Sequence, residues 1–203
     1  MVAGQPEAAK CWPYGSWAMF DEIKVSQVAA FFLNKTQEGR MPHLKLMKLM
    51  YLADREAIRT MGLPITWDYP VSMPHGPVLS MTLDLMNGNV RSSPGGWEDW
   101  VSAKENHEVS SRTIFEPDRL TKLSRAEISV LESVWQQFRE MNQWKIRDWT
   151  HDHCSEWQDP HGSSFPISFD SMARCVGFDA GAAAKLAERI EEARGIDQLF
   201  ASL

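Results

Sequence analysis

The sequence contains no CxxC pair, no HExxH, no GxSxG and no glycine-rich loop ending in Lys-Ser or Lys-Thr. These absences argue against the common structural zinc pair, a helix-borne zinc protease, a nucleophile elbow and a phosphate-cradling loop. The Gly95-Gly96 pair has neither a following Lys nor a preceding strand pattern. Cysteine is scarce: only Cys11, Cys154 and Cys175, widely spaced. Three such thiols imply no disulfide framework and fit a reducing cytoplasm. No run is apolar enough for a membrane span, and MVAGQPEAAKCWPYGSWAMF has no signal-peptide core. A soluble cytoplasmic protein is expected, with residues 1–21 as an N-terminal arm open to disorder. Basic charge is also in deficit. Against 27 Asp and Glu stand 21 Lys and Arg, a net charge of −6. A broad phosphate-binding surface needs clustered cations, so nucleic acid is not an expected partner.

What is present is an ordinary globular composition, 43% hydrophobic over 203 residues, with nine Trp. One domain of this length buries a core without disulfide or metal staples. Val25, Val28, Ala29 and Phe32 recur at helical spacing, predicting a helix over 22–38 stopped by Gly39. Pro42 suits the first position of a second helix, HLKLMKLMYLADREAIRTM, ending at Gly62. Its first half is apolar nearly all round, the pattern of a central helix. Its second half, with Asp54, Arg55, Glu56 and Arg59, is expected to emerge toward solvent. In ITWDYPVSMPHGP, Pro70, Pro74 and Pro77 permit only short extended pieces. A short helix should start near Pro77 and stop at Asn87-Gly88; SSPGG at 92–96 reads as a loop and EVSSRTIF at 108–115 as an edge strand. Ser124 and Glu127 have capping-box spacing before the stripe Ile128, Leu131, Trp135 and Phe138. Helices over WKIRDWTH, FDSMARCV and AGAAAKLAERIEEA complete a single compact, mainly α domain with minor short β elements.

Two places invite a chemical reading. His151, His153 and Cys154, with His161 downstream, carry zinc-ligand chemistry and would serve a metal-dependent hydrolase. Their spacing matches no zinc motif, and adjacent helical residues diverge by about 100°. A capping or solvated group at a helix C-terminus is the preferred reading, with no metal and no catalytic set. In MPHGPVLS, Pro74 and Pro77 restrict the backbone around His75. That reads as a corner histidine tied to the core by hydrogen bonds.

Three segments in order resemble the Panacea antitoxin domain, the SocA-like or GepA-like family. KLMKLMYLADREAIRTMGLPIT supplies Lys45, Leu46, Lys48, Leu49, Tyr51 and Ala53; MPHGPVLS supplies Gly76, Pro77 and Val78. The third, LSRAEISVLESVW leading to RDWTHDHCSEW, supplies Thr150 and His151. Together they span about residues 22–193. CSEWQDPHGSSF is longer than the family's compact T-H…W form, so no role is read for Trp157. The resemblance implies a mostly helical bacterial or phage antitoxin that neutralises a cognate protein toxin by contact. In at least one type the antitoxin is a proteolytic adaptor delivering the toxin to a Clp-type protease. Beside that implication, Arg55, Arg59, Trp67, Tyr69 and His75 are the candidate toxin contacts, because Arg and aromatic anchors dominate interfaces.

Overall fold

The computed structural model describes residues 20–113 and 119–201, with side chains described up to residue 195. Residues 1–19 of the expected arm lie outside the described residues, as do Ile114 and Phe115 of the expected edge strand. Among the described residues the chain is mainly helical: eight helices and five short strands.

Helix α1 (Glu22–Asn34) is capped by Asp21, whose carboxylate accepts from Lys24 N at 3.1 Å. It ends four residues before the expected stop, and the chain then turns into β1 (Arg40–Pro42). Pro42 is the N-cap of α2 (His43–Met61) instead of its first helical residue, with an extended ψ of 130°. Helix α2 is the axis of the core. Leu46, Leu49, Met50, Tyr51, Ala53 and Ile58 are all fully buried, with α1, α5, α6, α7 and β3 packed around them.

The polar half of α2 emerges only in part: Arg59 reaches solvent, but Asp54 and Arg55 do not. Asp54 is buried and accepts the backbone N–H groups of Ile65 and Thr66 at 2.9 Å each, together with the Thr66 hydroxyl. Burial pushes its carboxyl up to about 6. Asp54 thereby ties the loop after α2 back onto the helix, an arrangement a charge count cannot foresee.

Strands β2 (Pro70–Met73) and β3 (Gly76–Leu79) form an antiparallel hairpin, with Met73 opposite Gly76 and Pro74-His75 at the tip. Pro77 is therefore a strand residue, and α3 (Ser80–Asn87) starts three residues later. Asp68 sets that start. Its carboxylate accepts from Met81 N, Thr82 N and the Thr82 hydroxyl, satisfying the helix's first donors.

The loop at 92–96 leads into α4 (Trp97–Trp100), a turn not foreseen in the sequence. Glu22 holds it by accepting from Trp97 N at 2.8 Å and the Ser92 hydroxyl at 2.6 Å. Strand β4 (Glu108–Ser110) pairs with β1. The capping box of Ser124 and Glu127 opens α5 (Arg125–Phe138) as the spacing predicts. Helix α6 (Gln143–His153) is capped by Asn142. Strand β5 (Phe165–Pro166) joins β2 to give the order β3-β2-β5, followed by α7 (Phe169–Cys175) and α8 (Ala180–Ala201). No described helix is long and apolar enough to cross a membrane.

Candidate functional site

The three sequence segments meet in space. Lys48 projects from α2 beneath the hairpin and is wholly buried, its Nζ donating to Pro77 O at 2.6 Å. Thr150 and His151, from the last turns of α6, close the other side of the corner. A Cβ on Gly76 would lie 2.8 Å from Thr150 Oγ1, 3.0 Å from Lys48 Nζ and 3.1 Å from His151 Cδ2. The corner thus rests on a lysine, a threonine and an imidazole with no room for a side chain between them.

Trp157, without a role in the sequence pattern, braces the same corner. Its indole stacks on His151 with ring centroids 4.2 Å apart, and its Nε1 donates to Met73 O at 2.9 Å. His151 Nε2 is buried without a hydrogen-bond partner among the described residues. Burial, then the Lys48 and Arg147 charges, push its pKa down. The neutral ring is favoured, which avoids a second cation beside Lys48.

A second network lies further along α2. Glu156 Oε1 accepts from the Tyr51 hydroxyl at 2.8 Å and from Arg55 Nε at 2.7 Å. Arg55 also donates to the carbonyls of His153 and Cys175 at 3.2 and 3.3 Å. This couples α2, the end of α6 and α7. Burial and the Glu156 charge hold the Tyr51 phenol well above its ordinary range. Cys154 is fully buried nearby, and burial pushes its thiol up to about 12. Such a thiol stays protonated and is neither nucleophile nor ready ligand.

The other motif residues are framework. Leu46, Leu49, Ala53 and Val78 lie in the core. Lys45 donates to Arg139 O at 2.7 Å and lies over the Trp135 ring. The candidate metal ligands separate: His153 packs flat on Trp149, His161 is exposed, and Cys154 faces the core. Among the described residues no three His, Cys, Asp or Glu side chains converge on a point where a metal could sit. The hydrolase reading therefore lacks its site.

The candidate contact residues do not form one patch. Arg55 is largely buried in its ion pair, contrary to the expectation that it faces solvent. Arg59 is exposed and pairs with Glu56 at 2.6 Å. About 16 Å of helix separates it from Lys48 under the hairpin. Trp67 packs partly buried against the core, with a positive φ of 57°. The Arg194 guanidinium lies 4.2 Å from the centre of the Tyr69 ring. His75 is exposed at the hairpin tip, without a hydrogen-bond partner among the described residues, so it does not tie the corner to the core. Lys48 does that, through a backbone carbonyl.

Lys48 makes a pH-dependent contribution. Burial depresses its pKa to about 7 from 10.5, outweighing the nearby Cys154. Between those values the unfolded chain holds a proton that the folded chain releases, so stability rises with pH across that window. From pH 7 to 8, before Cys154 ionises appreciably in the unfolded chain, the gain should be about 1 kcal/mol. Urea unfolding across this range checks it, and Lys48→Met should flatten the rise. An unchanged slope in that variant would assign it to another group.

Fold and site thus define a helical domain whose distinctive polar residues brace one another around a proline-glycine corner. The chain belongs to the SocA-like antitoxins with a Panacea domain: that family's model matches residues 46–158, more than half of the sequence. The match covers α2 through the stretch that holds Trp157, and Lys45 falls just before it. No curated protein and no solved structure matches the chain.

Proposed function

We propose that this antitoxin-family protein neutralises a cognate protein toxin by direct contact, without catalysis. The match of residues 46–158 to the antitoxin family carries the reading. It is supported by the hairpin corner, where Lys48, Gly76, Thr150 and His151 pack together into a braced element suited to contact with a partner.

The contact face we propose centres on the hairpin tip. Register places Phe165 opposite Ser72, three residues before His75, and the Phe165 and His75 side chains are exposed, Phe165 by 48%. An exposed aromatic on a strand paired to the braced hairpin is a suitable anchor, since little entropy is lost on ordering it. Arg59 and Tyr69, which lie apart from the hairpin tip, are left out of this face. Arg55 and Trp67 serve the fold instead.

Co-expression with the product of an adjacent small open reading frame tests the reading. Growth should be rescued and the two proteins should co-purify. Phe165→Glu should abolish both effects while the melting temperature stays within a degree or two. Rescue without any complex would overturn neutralisation by contact; a complex indifferent to Phe165→Glu would move the face elsewhere. Delivery to a Clp-type protease is the finer form of the proposal. It requires toxin levels to fall in the antitoxin's presence and to recover when the protease is deleted. A toxin that stays abundant but inactive would point to occlusion.

A further inference from the structure

We propose that the cavity between the β2–β5 sheet edge, α7 and α8 binds a small carboxylic acid carried on an apolar stem. Its volume is about 370 Å³, within the range of small-molecule sites. Tyr69, Val71, Met81, Ile167 and Phe169 give it apolar walls. One cation stands in those walls. Arg194 is only 4% exposed, sits 4.2 Å from the Tyr69 ring centre and 4.7 Å from that of Phe169, and donates to the carbonyls of Trp67 and Asp68 at 2.9 Å.

Those bonds satisfy donors but leave the guanidinium without a buried carboxylate in ion-pair contact among the described residues. The Asp68 carboxylate is occupied by the N–H groups of Tyr69, Met81 and Thr82 and by the Thr82 hydroxyl. The acid on the cavity's rim, Glu191, approaches no closer than 3.4 Å, and its side chain is 63% exposed. A desolvated cation with only a solvated partner attracts an anion. Ser80 adds a hydroxyl in the lining that has no hydrogen-bond partner among the described residues. The apolar walls take the stem, while Arg194 and Ser80 receive the carboxylate.

The edge strand argues against a peptide added to the sheet. Strand β5 has two residues, and Pro166 has no N–H to offer outward. The cavity also differs from the matched family region. Pro166, Ile167, Ser168, Phe169, Ala187 and Arg194 all lie beyond residue 158. The site is built jointly by the matched segment and the C-terminal helices, and it does not depend on the proposed toxin contact.

Calorimetric titration of the purified full chain with decanoate tests this, with decylamine as the charge-reversed control. Decanoate should bind and raise the melting temperature, and decylamine should bind at least tenfold more weakly. Glu191→Gln, a surface change that removes the competing acid, should tighten decanoate binding about 2- to 5-fold. Ala187→Phe, which fills the cavity from α8, should abolish it. No binding of decanoate, equal binding of decylamine, or weaker binding to Glu191→Gln would overturn the proposal. Unchanged affinity in a folded Ala187→Phe would do the same; should that variant fail to fold, the Glu191→Gln and decylamine comparisons still decide.

Discussion

An Arg55→Ala variant is expected to lose about 3–5 kcal/mol of unfolding free energy in urea melts, the usual cost of breaking a buried ion pair from one side. Glu156, whose side chain is fully buried, would keep the Tyr51 hydroxyl as its only described partner. Its Oε2 already lacks a partner, so nothing within reach compensates the lost cation. The carbonyls of His153 and Cys175 lose a donor as well, loosening the junction of α6 and α7. Replacing both members, as in Arg55→Met/Glu156→Leu, should recover much of the loss, because desolvation of two charges is removed with their attraction. A single-variant loss below about 1 kcal/mol would show the pair to be no stronger than a surface one. Should Arg55→Ala instead abolish toxin binding with stability intact, Arg55 would regain its place among the contact residues.

Gly76→Ala should cost about 2–5 kcal/mol, from two separable effects. Gly76 has φ of +87°, a region that penalises any Cβ by about 1–2 kcal/mol. The new methyl would also press on Thr150 Oγ1, Lys48 Nζ and His151, a crowding of about 1–3 kcal/mol. Gly88 provides the comparison. It too has positive φ, +69°, but a Cβ there meets nothing within 4 Å. Gly88→Ala therefore reports the backbone effect alone, and the difference between the variants reports the crowding. Equal losses would mean that the corner relaxes around the methyl, and that the lysine–threonine–histidine cradle is looser than its distances imply. The same change should weaken toxin neutralisation, since it tilts the hairpin that carries His75.

How much of this was legible beforehand differs between elements. The capping box at Ser124 and the apolar face of α2 are local patterns, and local patterns survive into the fold. The short turn at Trp97 was not, because its stability comes from Glu22, seventy-five residues earlier, accepting its first N–H. Pro77 satisfies the rule for a helix start equally well as an edge-strand residue, and pairing with Ser72 decides between them. Arg55 followed Asp54 in a stretch that looked solvent-facing. The chain places Glu156 and the end of α6 over it, and Asp54 finds donors in the next loop. Trp157 carried no readable signal, since its partners, His151 and Met73 O, converge only when the hairpin meets α6.

The sequence by itself determined the helical class, the succession of most elements and the resemblance that the family match bears out. Periodicity, caps and breakers act within a few residues, so one strand of text contains them. Only the tertiary structure decided that Lys48 holds the corner while His75 points away, that Arg55 belongs to the interior, and that Arg194 is buried in a cavity wall. Each is a pairing across roughly 30 to 130 residues of chain, fixed by which buried donors and acceptors can satisfy one another.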